Sequence, residues 1–476
     1  MARPEFDLVV IGGGSGGLVV AAGGATLGAK VALVEKHRLG GDCLWTGCVP
    51  SKALIKSSRV AHEMREAARW GLTGANPQPD VAKVMAHVGD VIAAIAPHDS
   101  PDRFRAMGID VILEAGKFVG PDAFEVGGRT LTATHFVLAT GSRPAVPPLP
   151  GLDQVPYLTN ENVFDLREPV PSLAVIGGGP IGCELAQSFR RLGSAVTVID
   201  VAKQLLPKED PDLVAVVAQR LRDEGVTVLL DAKVGGVEGS AGALRLTVQG
   251  GGQHTRSVDA SHVLVATGRA PNLDHLGLEA AQVKTEKGRL VMDERLRTTN
   301  PRIYAVGDIA GPLQFTHMAE HQAGIVLRQT LFRMFWARPS SVVPWCTFTD
   351  PELARVGLSE TEAQEKNIDH AVYRFSLTDN DRAQADGATE GFAKLITGKS
   401  GKILGVAIVG SHAGELIAEY ALAMQNGLSV SALSDTIHPY PTLSQTNRRL
   451  ADERRKASLT PWKRNLLQHV LGLRGS

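Results

Sequence analysis

Two stretches of this chain carry the same pattern, and together they restrict the fold more than any other feature. "FDLVVIGGGSGGLVVAA" (6–22) and "SLAVIGGGPIGCELAQ" (172–187) each run from an apolar strand through a glycine-rich turn into a helix. The glycines fall at Gly12, Gly14 and Gly17, and again at Gly177, Gly179 and Gly182. A second apolar strand follows each and ends in an acid, Glu35 after "KVALV" and Asp200 after "AVTVI", both 23 residues beyond the first glycine. The first glycine makes the turn, the second admits a pyrophosphate to the backbone, and the third packs helix on strand. The pyrophosphate then sits on free N–H groups at a helix N-terminus, and the acid accepts from ribose hydroxyls. One such loop is weak evidence, but two with matching acids predict two dinucleotide-binding modules.

The chain has 476 residues, enough for roughly two to four domains. A formal net charge of +0 excludes a nucleic-acid binder held by bulk charge. Four cysteines in this length exclude a disulfide framework and point to a reducing, cytoplasmic setting. The opening "MARPEFDLVVIGGG" enters a strand at once, so no secretory leader is expected, and no apolar run is long enough for a membrane span. Gly23 and Gly24 interrupt the first predicted helix, at a cost of about 1 kcal/mol each relative to alanine.

Two further strands, "FVLATGSRPAVPP" (136–148) and "VLVATGRAPN" (263–272), end at Ala-Thr-Gly, where a chain can leave one domain for another. "TTNPRIYAVGDIAG" (298–311) ends a strand at Asp308, a place suited to binding a ligand hydroxyl. Beyond Pro344 the runs "VVPWCTFT", "HAVYRFSL", "FAKLIT" and "ILGVAIVG" precede a helix "GELIAEYALAMQNG", which predicts an antiparallel sheet with packed helices. The segment "LTPWKRNLLQHVLGLRGS" (459–476) reads as amphipathic and basic. It is expected to be solvated or packed in a dimer rather than bound to an anionic membrane.

"GGDCLWTGCVPSK" (40–52) places Cys43 and Cys48 with four residues between them. That is neither a zinc knuckle nor the two-residue gap of a thioredoxin-like motif. "PSKALIKSSRVAHEMREAARWG" reads as a helix, Pro50 suits its first turn, and Cys48 is expected just before its N-terminus, where a thiolate is stabilised. This reading expects a redox disulfide with one cysteine held as thiolate when reduced; the alternative is a pair of buried free thiols.

This segment closely resembles the redox-active stretch of the class I pyridine nucleotide–disulfide oxidoreductases, the family of dihydrolipoamide dehydrogenase, glutathione reductase and mercuric reductase. The resemblance runs from residue 6 to about 450. It implies an α/β fold with two Rossmann-like dinucleotide-binding domains and a C-terminal α+β dimerisation domain. FAD would bind the first glycine loop, with Glu35 on the adenosine ribose and Asp308 on the ribityl chain. NADH, or less favourably NADPH, would bind the second, because Asp200 accepts from a free ribose hydroxyl and repels a 2′-phosphate. Gly116, Thr140, Gly141, Gly268 and His317 are assigned to cofactor contacts on the same ground. Electrons would pass from nicotinamide through flavin to a Cys43–Cys48 disulfide. Cys48 would be the flavin-side thiolate and Cys43 the cysteine that meets substrate. Lys52 would lie near the flavin and pair with Glu184. The domains expected are 1–150 and 271–343 for FAD, 151–270 for the nicotinamide cofactor, 344–458 for a homodimer interface with shared active sites, and a tail at 459–476.

"IHPYPTLSQTNRR" (437–449) departs from the family pattern. The lipoamide and glutathione enzymes carry His-Pro-Thr there, followed by a glutamate. Here Tyr440 takes the histidine position, Gln445 the glutamate position, and His438 lies two residues earlier. Histidine titrates near neutrality, whereas tyrosine titrates at about 10. Ordinary disulfide turnover is therefore expected to be impaired unless His438 substitutes. Pro-Tyr-x-Thr resembles mercuric reductases instead, although no cysteine follows Cys346. The leading expectation is an enzyme reducing a soft metal ion or metal–thiol complex. The alternatives are dihydrolipoyl dehydrogenase-type exchange and a redox-responsive flavoprotein with little turnover. No resident metal is expected: His317 and His321 share a helical face but read as flavin-side or structural residues. Cys183 reads as packing and Cys346 as a buried strand thiol.

Overall fold

A computed structural model describes residues 3–251 and 254–473. The chain forms two compact units, one of Met1–Gly177, Ser188–Ile199 and Lys233–Pro339, the other of Gly178–Gln187, Asp200–Ala232 and Ser340–Ser476.

The first unit is built on a parallel sheet. Strands Asp110–Ile112, Val31–Val34, Phe6–Ile11, Arg129–Leu138 and Ile303–Ala305 lie side by side, with Val10 opposite both Leu33 and Val137. Continuous apolar runs such as "LVVI" suit strands covered on both faces, and Leu8, Val10, Leu33, Phe136 and Val137 are fully buried. Helix Ser15–Thr26 packs on helix Thr316–Thr330. This contact accounts for the helix-breaking pair Gly23-Gly24. A Cβ at Gly23 would lie 2.5 Å from Leu327 Cδ1, and one at Gly24 would lie 2.9 Å from Leu8 Cδ1. A second parallel group, Ala195–Ile199, Ser172–Ile176 and His262–Val265, follows the same logic. The short strands after the two Ala-Thr-Gly turns, Ser142–Pro144 and Arg269–Pro271, pair antiparallel with each other.

The second unit holds a five-stranded antiparallel sheet in the order Pro344–Thr347, Glu352–Gly357, Ile403–Gly410, Phe392–Thr397, Ala371–Ser376. Four of these strands were legible as apolar runs. Glu352–Gly357 was not, because Glu352 and Arg355 give it the look of a surface segment. Both are buried and partnered: Glu352 Oε2 accepts from Gly414 N at 2.9 Å, and Arg355 forms ion pairs with Glu209 at 3.0 Å and Glu362 at 2.7 Å. Helix Ala413–Gln425 covers the sheet and is tied to helix Gln445–Ala457 where Tyr420 donates to Asn447 O at 3.0 Å. Cys346 is half-buried rather than buried as expected, because its short strand lies at the sheet edge. No helix among the described residues is long and apolar enough to cross a membrane.

Lys394 is the buried charge on which this unit depends. Its ammonium lies 3.0 Å from Asp210, 2.7 Å from Asp212 and 2.8 Å from Glu360. Burial pushes the Asp210 carboxyl up, but N–H donors from Thr361 and Glu360 together with Lys394 outweigh it and bring it to about 2. Lys394→Met leaves the buried Asp210 without its cation, and Asp212 and Glu360 with Arg374 alone, and is expected to cost about 3–5 kcal/mol. Urea unfolding at neutral pH checks this; an unchanged midpoint would show that the cluster contributes nothing.

Candidate functional site

The first glycine loop forms a cradle through backbone contact alone. Gly12 has φ +109°, and a Cβ there would lie 2.2 Å from Ala139 O. A Cβ on Gly17 would lie 1.9 Å from Gly12 O, so only glycine lets the helix start against the strand. Gly14 caps helix Ser15–Thr26 without a side chain, and no acid occupies the first turn. Its N–H groups therefore present an anion site. Glu35 ends the neighbouring strand with its carboxylate fixed by Gly13 N at 2.7 Å and His37 N at 2.9 Å. A carboxylate has more acceptor sites than these two bonds fill. An uncapped helix N-terminus beside a held acceptor fits a dinucleotide such as FAD.

The cysteine segment abuts that cradle. Gly40 N donates to Gly13 O at 2.9 Å, and a Cβ on Gly41 would lie 2.6 Å from Gly14 Cα. Gly40 starts the short helix Gly41–Trp45, which carries Cys43. Gly47 starts the helix Cys48–Glu66, so Cys48 is the first helical residue rather than the one before it. Both cysteines are free thiols here, the reduced state of the expected pair. They share a hydrogen bond that divides their acidities. For Cys48 this bond is the largest influence; partial burial opposes it, while Thr316 and the Lys52 charge reinforce it, and the pKa falls to about 6. The same bond, then burial, pushes Cys43 up. Cys48 is therefore thiolate at neutral pH and Cys43 keeps its proton.

Sequence reasoning missed Thr316, whose Oγ1 lies 3.4 Å from Cys48 Sγ at the start of helix Thr316–Thr330. The helix was identified, but its hydroxyl carries no motif. It also missed the polar chain behind the thiols. Asp42 accepts from Thr46 at 2.8 Å and Asn160 at 2.9 Å, and pairs with Arg269 at 3.3 Å. Arg269 Nε donates to Ser142 Oγ at 2.7 Å, and Ser142 donates to Asp308 at 2.5 Å. Burial pushes the Asp308 carboxyl up, partly offset by Ser142 and Arg269. Arg269 and Ser142 follow the two Ala-Thr-Gly turns, so the paired short strands serve to bring them together. Thr140 donates to Asn272 O at 2.8 Å beside Gly141, which has φ +67°. His317 stacks on Phe315, with ring centroids 5.3 Å apart. Gly116 begins strand Gly116–Gly120, where a Cβ would lie 2.4 Å from the Phe124 ring, so packing already demands glycine there.

Of the second glycine loop, Gly177 repeats the geometry of Gly12: φ is +115° and a Cβ would lie 2.4 Å from Ala266 O. Gly268, with φ +133°, belongs to the same unit. In the second unit Asp200 is held by Gly178 N and, at 2.7 Å, by Ala202 N, while a Cβ on Gly179 would meet open space. Cys183, one residue after Gly182, is buried with its thiol 3.3 Å from Gly178 O, a packing role. Glu184 is buried in this unit and accepts from Phe348 N at 2.9 Å; Lys52 belongs to the first unit, with Nζ 3.4 Å from Ser51 Oγ.

Tyr440 is 67% exposed, and its hydroxyl donates to Asp381 at 2.8 Å, which pushes its pKa up. His438 is buried, with Nε2 2.9 Å from Glu419 and Nδ1 3.0 Å from Thr436 O. Both its ring nitrogens are engaged within the unit, so it shapes this turn.

Comparison with known proteins gives a consistent result. The family model described as pyridine nucleotide-disulphide oxidoreductase matches residues 6–323, and the dimerisation domain of the same family matches 343–451. A mercuric reductase from Staphylococcus aureus is 34% identical over 443 residues, covering 93% of this chain and 81% of that protein. A dihydrolipoyl dehydrogenase from Chlamydia muridarum is 36% identical over 447 residues, covering 92% and 95%. Among solved structures, LpdA from Mycobacterium tuberculosis superposes with a TM-score of 0.86 at 28% identity, over 94% of this chain and 99% of that one. The Cu(II) complex of the HOCl-induced flavoprotein disulfide reductase RclA from Escherichia coli does so with 0.84 at 28%, over the same shares.

The division of acidity between the thiols is directly measurable. Iodoacetamide should alkylate the reduced protein at Cys48 with a midpoint near pH 6, the value to which its partners lower it. Cys43→Ala removes the largest of those influences and should move the midpoint upward. A profile centred at an ordinary thiol pKa in the parent would refute the arrangement.

Proposed function

Because the chain belongs to the pyridine nucleotide-disulphide oxidoreductases, FAD enzymes that take electrons from NAD(P)H, we propose that it uses NADH to reduce a soft metal ion or its thiol complex. Bound FAD supplies the two-electron relay between nicotinamide and thiols. In this reading the uncapped N-terminus of helix Ser15–Thr26 and Glu35 hold that cofactor, and Asp308 accepts from one of its hydroxyls. Cys48 is the thiolate beside it. Cys43 receives the substrate, giving up its proton as it binds metal; paired thiolates are the ligands soft ions prefer. Lys52 supports the Cys48 charge. The overall reaction with mercury is balanced: NADH and Hg(II) give NAD⁺, Hg(0) and one proton. The match to a dimerisation domain supports a homodimer, in which Tyr440 acts at the partner's thiols. The cytoplasm, where thiols stay reduced, is the setting that suits it.

The observation that carries the metal reading is the arrangement at 438–440. Tyr440, bonded to Asp381, stands where disulfide-exchanging relatives need an imidazole, and the nearby His438 is engaged by Glu419 and Thr436. NADH oxidation by the purified yellow protein should proceed with thiol-complexed Hg(II) and be at least about tenfold slower with lipoamide, a barrier difference of about 1.4 kcal/mol. Tyr440→Phe should slow metal turnover while leaving flavin reduction by NADH unchanged. Fast lipoamide turnover without metal turnover would replace this reading with dihydrolipoyl dehydrogenase-type exchange.

NADH is proposed over NADPH because the Asp200 carboxylate, fixed by Gly178 and Ala202, suits a ribose hydroxyl and repels a phosphate. Asp200→Arg should shift the ratio of kcat/KM values toward NADPH. An unmoved ratio would remove Asp200 from cofactor selection.

A further inference from the structure

Helix Pro461–Leu471 plays no part in the chemistry above. Thr460 caps it by accepting from Lys463 N, and Pro461 suits its first turn. It lies beyond residue 451, where the match to the family's dimerisation domain stops, so the shared fold does not account for it. None of its residues is buried. Trp462, Leu466 and Val470 recur at four-residue intervals, so they share one face, and Leu473 continues it. Trp462 and Val470 are each 70% exposed, and Leu471 is 62% exposed. Arg464 and Gln468 take the opposite side, while Asn465 and His469 border the stripe.

The charge of this segment is basic, although Arg455 and Lys456 of the preceding helix pair with Asp435 and Glu453. From Arg454 to Ser476 there are six lysines and arginines and no aspartate or glutamate. Lys463 and Arg464 sit in the helix's first turn, next to Trp462. An exposed apolar stripe bearing a tryptophan, with cations and no acid around it, complements a surface that is anionic outside and apolar just beneath. A protein partner would supply an acidic patch or an apolar groove, but a lipid leaflet supplies both at once. We propose that this helix is a peripheral anchor that lies in the plane of an anionic lipid bilayer, with Trp462, Leu466 and Val470 in the acyl boundary and Lys463 and Arg464 at the headgroups. The dimer-packed tail expected from sequence is the competing occupant.

The test is co-sedimentation of the full-length FAD-loaded protein with vesicles of phosphatidylglycerol and phosphatidylcholine mixed, and with phosphatidylcholine alone. The parent should bind the anionic vesicles, bind the neutral ones at least about tenfold more weakly, and be released by raised salt. Trp462→Ser with Leu466→Ser, and separately Lys463→Glu with Arg464→Glu, should each weaken binding by about tenfold or more. All four positions are solvent-facing, and thermal unfolding should stay at the parent's midpoint. Absence of binding to anionic vesicles overturns the proposal. So does a loss of dimer in either double variant by light scattering, which would assign the face to a second copy of this chain.

Discussion

The backbone crossing at Gly12, Gly17 and Ala139 is the contact from which the first unit's chemistry follows. A side chain on Gly17 would overlap Gly12 O, and one on Gly12 would overlap Ala139 O. Strand and helix therefore meet with nothing between them, and the helix N-terminus is aimed at one point. The loop carrying Cys43 rests on this crossing through Gly40 on Gly13 and Gly41 on Gly14. Four glycines thus couple the place for a pyrophosphate to the place of the thiols. Any substitution that widens the crossing displaces both together, a stronger constraint than a φ preference at one residue.

From that placement the thiol asymmetry follows. Cys48 begins a helix, where free N–H groups favour negative charge, and its sulfur shares hydrogen bonds with Cys43 and Thr316. Cys43 sits in a separate short helix and is the donor. One proton shared between two thiols produces a stable thiolate beside a protonated partner without any imidazole. The polar chain from Asp42 through Arg269 and Ser142 to Asp308 binds the loop on one side of the thiols to the acid after strand Ile303–Ala305. It keeps three charges compensated in a partly buried setting, where each alone would carry a desolvation cost.

The dinucleotide loops, both acids, the thiol helix and four of the five antiparallel strands were legible because each is a local pattern: a period, a spacing or a glycine triplet. The unread parts are those whose meaning depends on a partner distant in sequence. Glu352 and Arg355 look like solvent residues until Gly414, Glu209 and Glu362 are brought to them. Gly23 and Gly24 look like helix defects until Leu327 and Leu8 arrive. Thr316, Arg269 and Ser142 belong to no motif, and only the tertiary fold collects them. The place of Cys48 was off by one residue, because Gly47 supplies a cap without a side chain, which leaves no sequence signal of its own.

On the proposed reading, in which Tyr440 stands in the place of an imidazole, this position bears on substrate through proton balance. Reduction of a disulfide by NADH consumes a proton, and the leaving thiolate must be protonated near neutral pH, a task for a group titrating there. Reduction of free Hg(II) by NADH releases a proton, and the metal leaves as a neutral atom; a thiol complex first hands its two thiolates to solvent by ligand exchange at Cys43, where water protonates them outside the electron-transfer step. A hydroxyl whose pKa is pushed up further by Asp381 is unsuited to the first task and no obstacle to the second. The neighbouring histidine does not restore the lost acid, because Glu419 and Thr436 O occupy both its nitrogens. In the proposed reading, a thiol pair that separates its charges, combined with a C-terminal motif whose histidine is engaged on both nitrogens, is matched to a substrate that needs electrons and soft ligands more than protons.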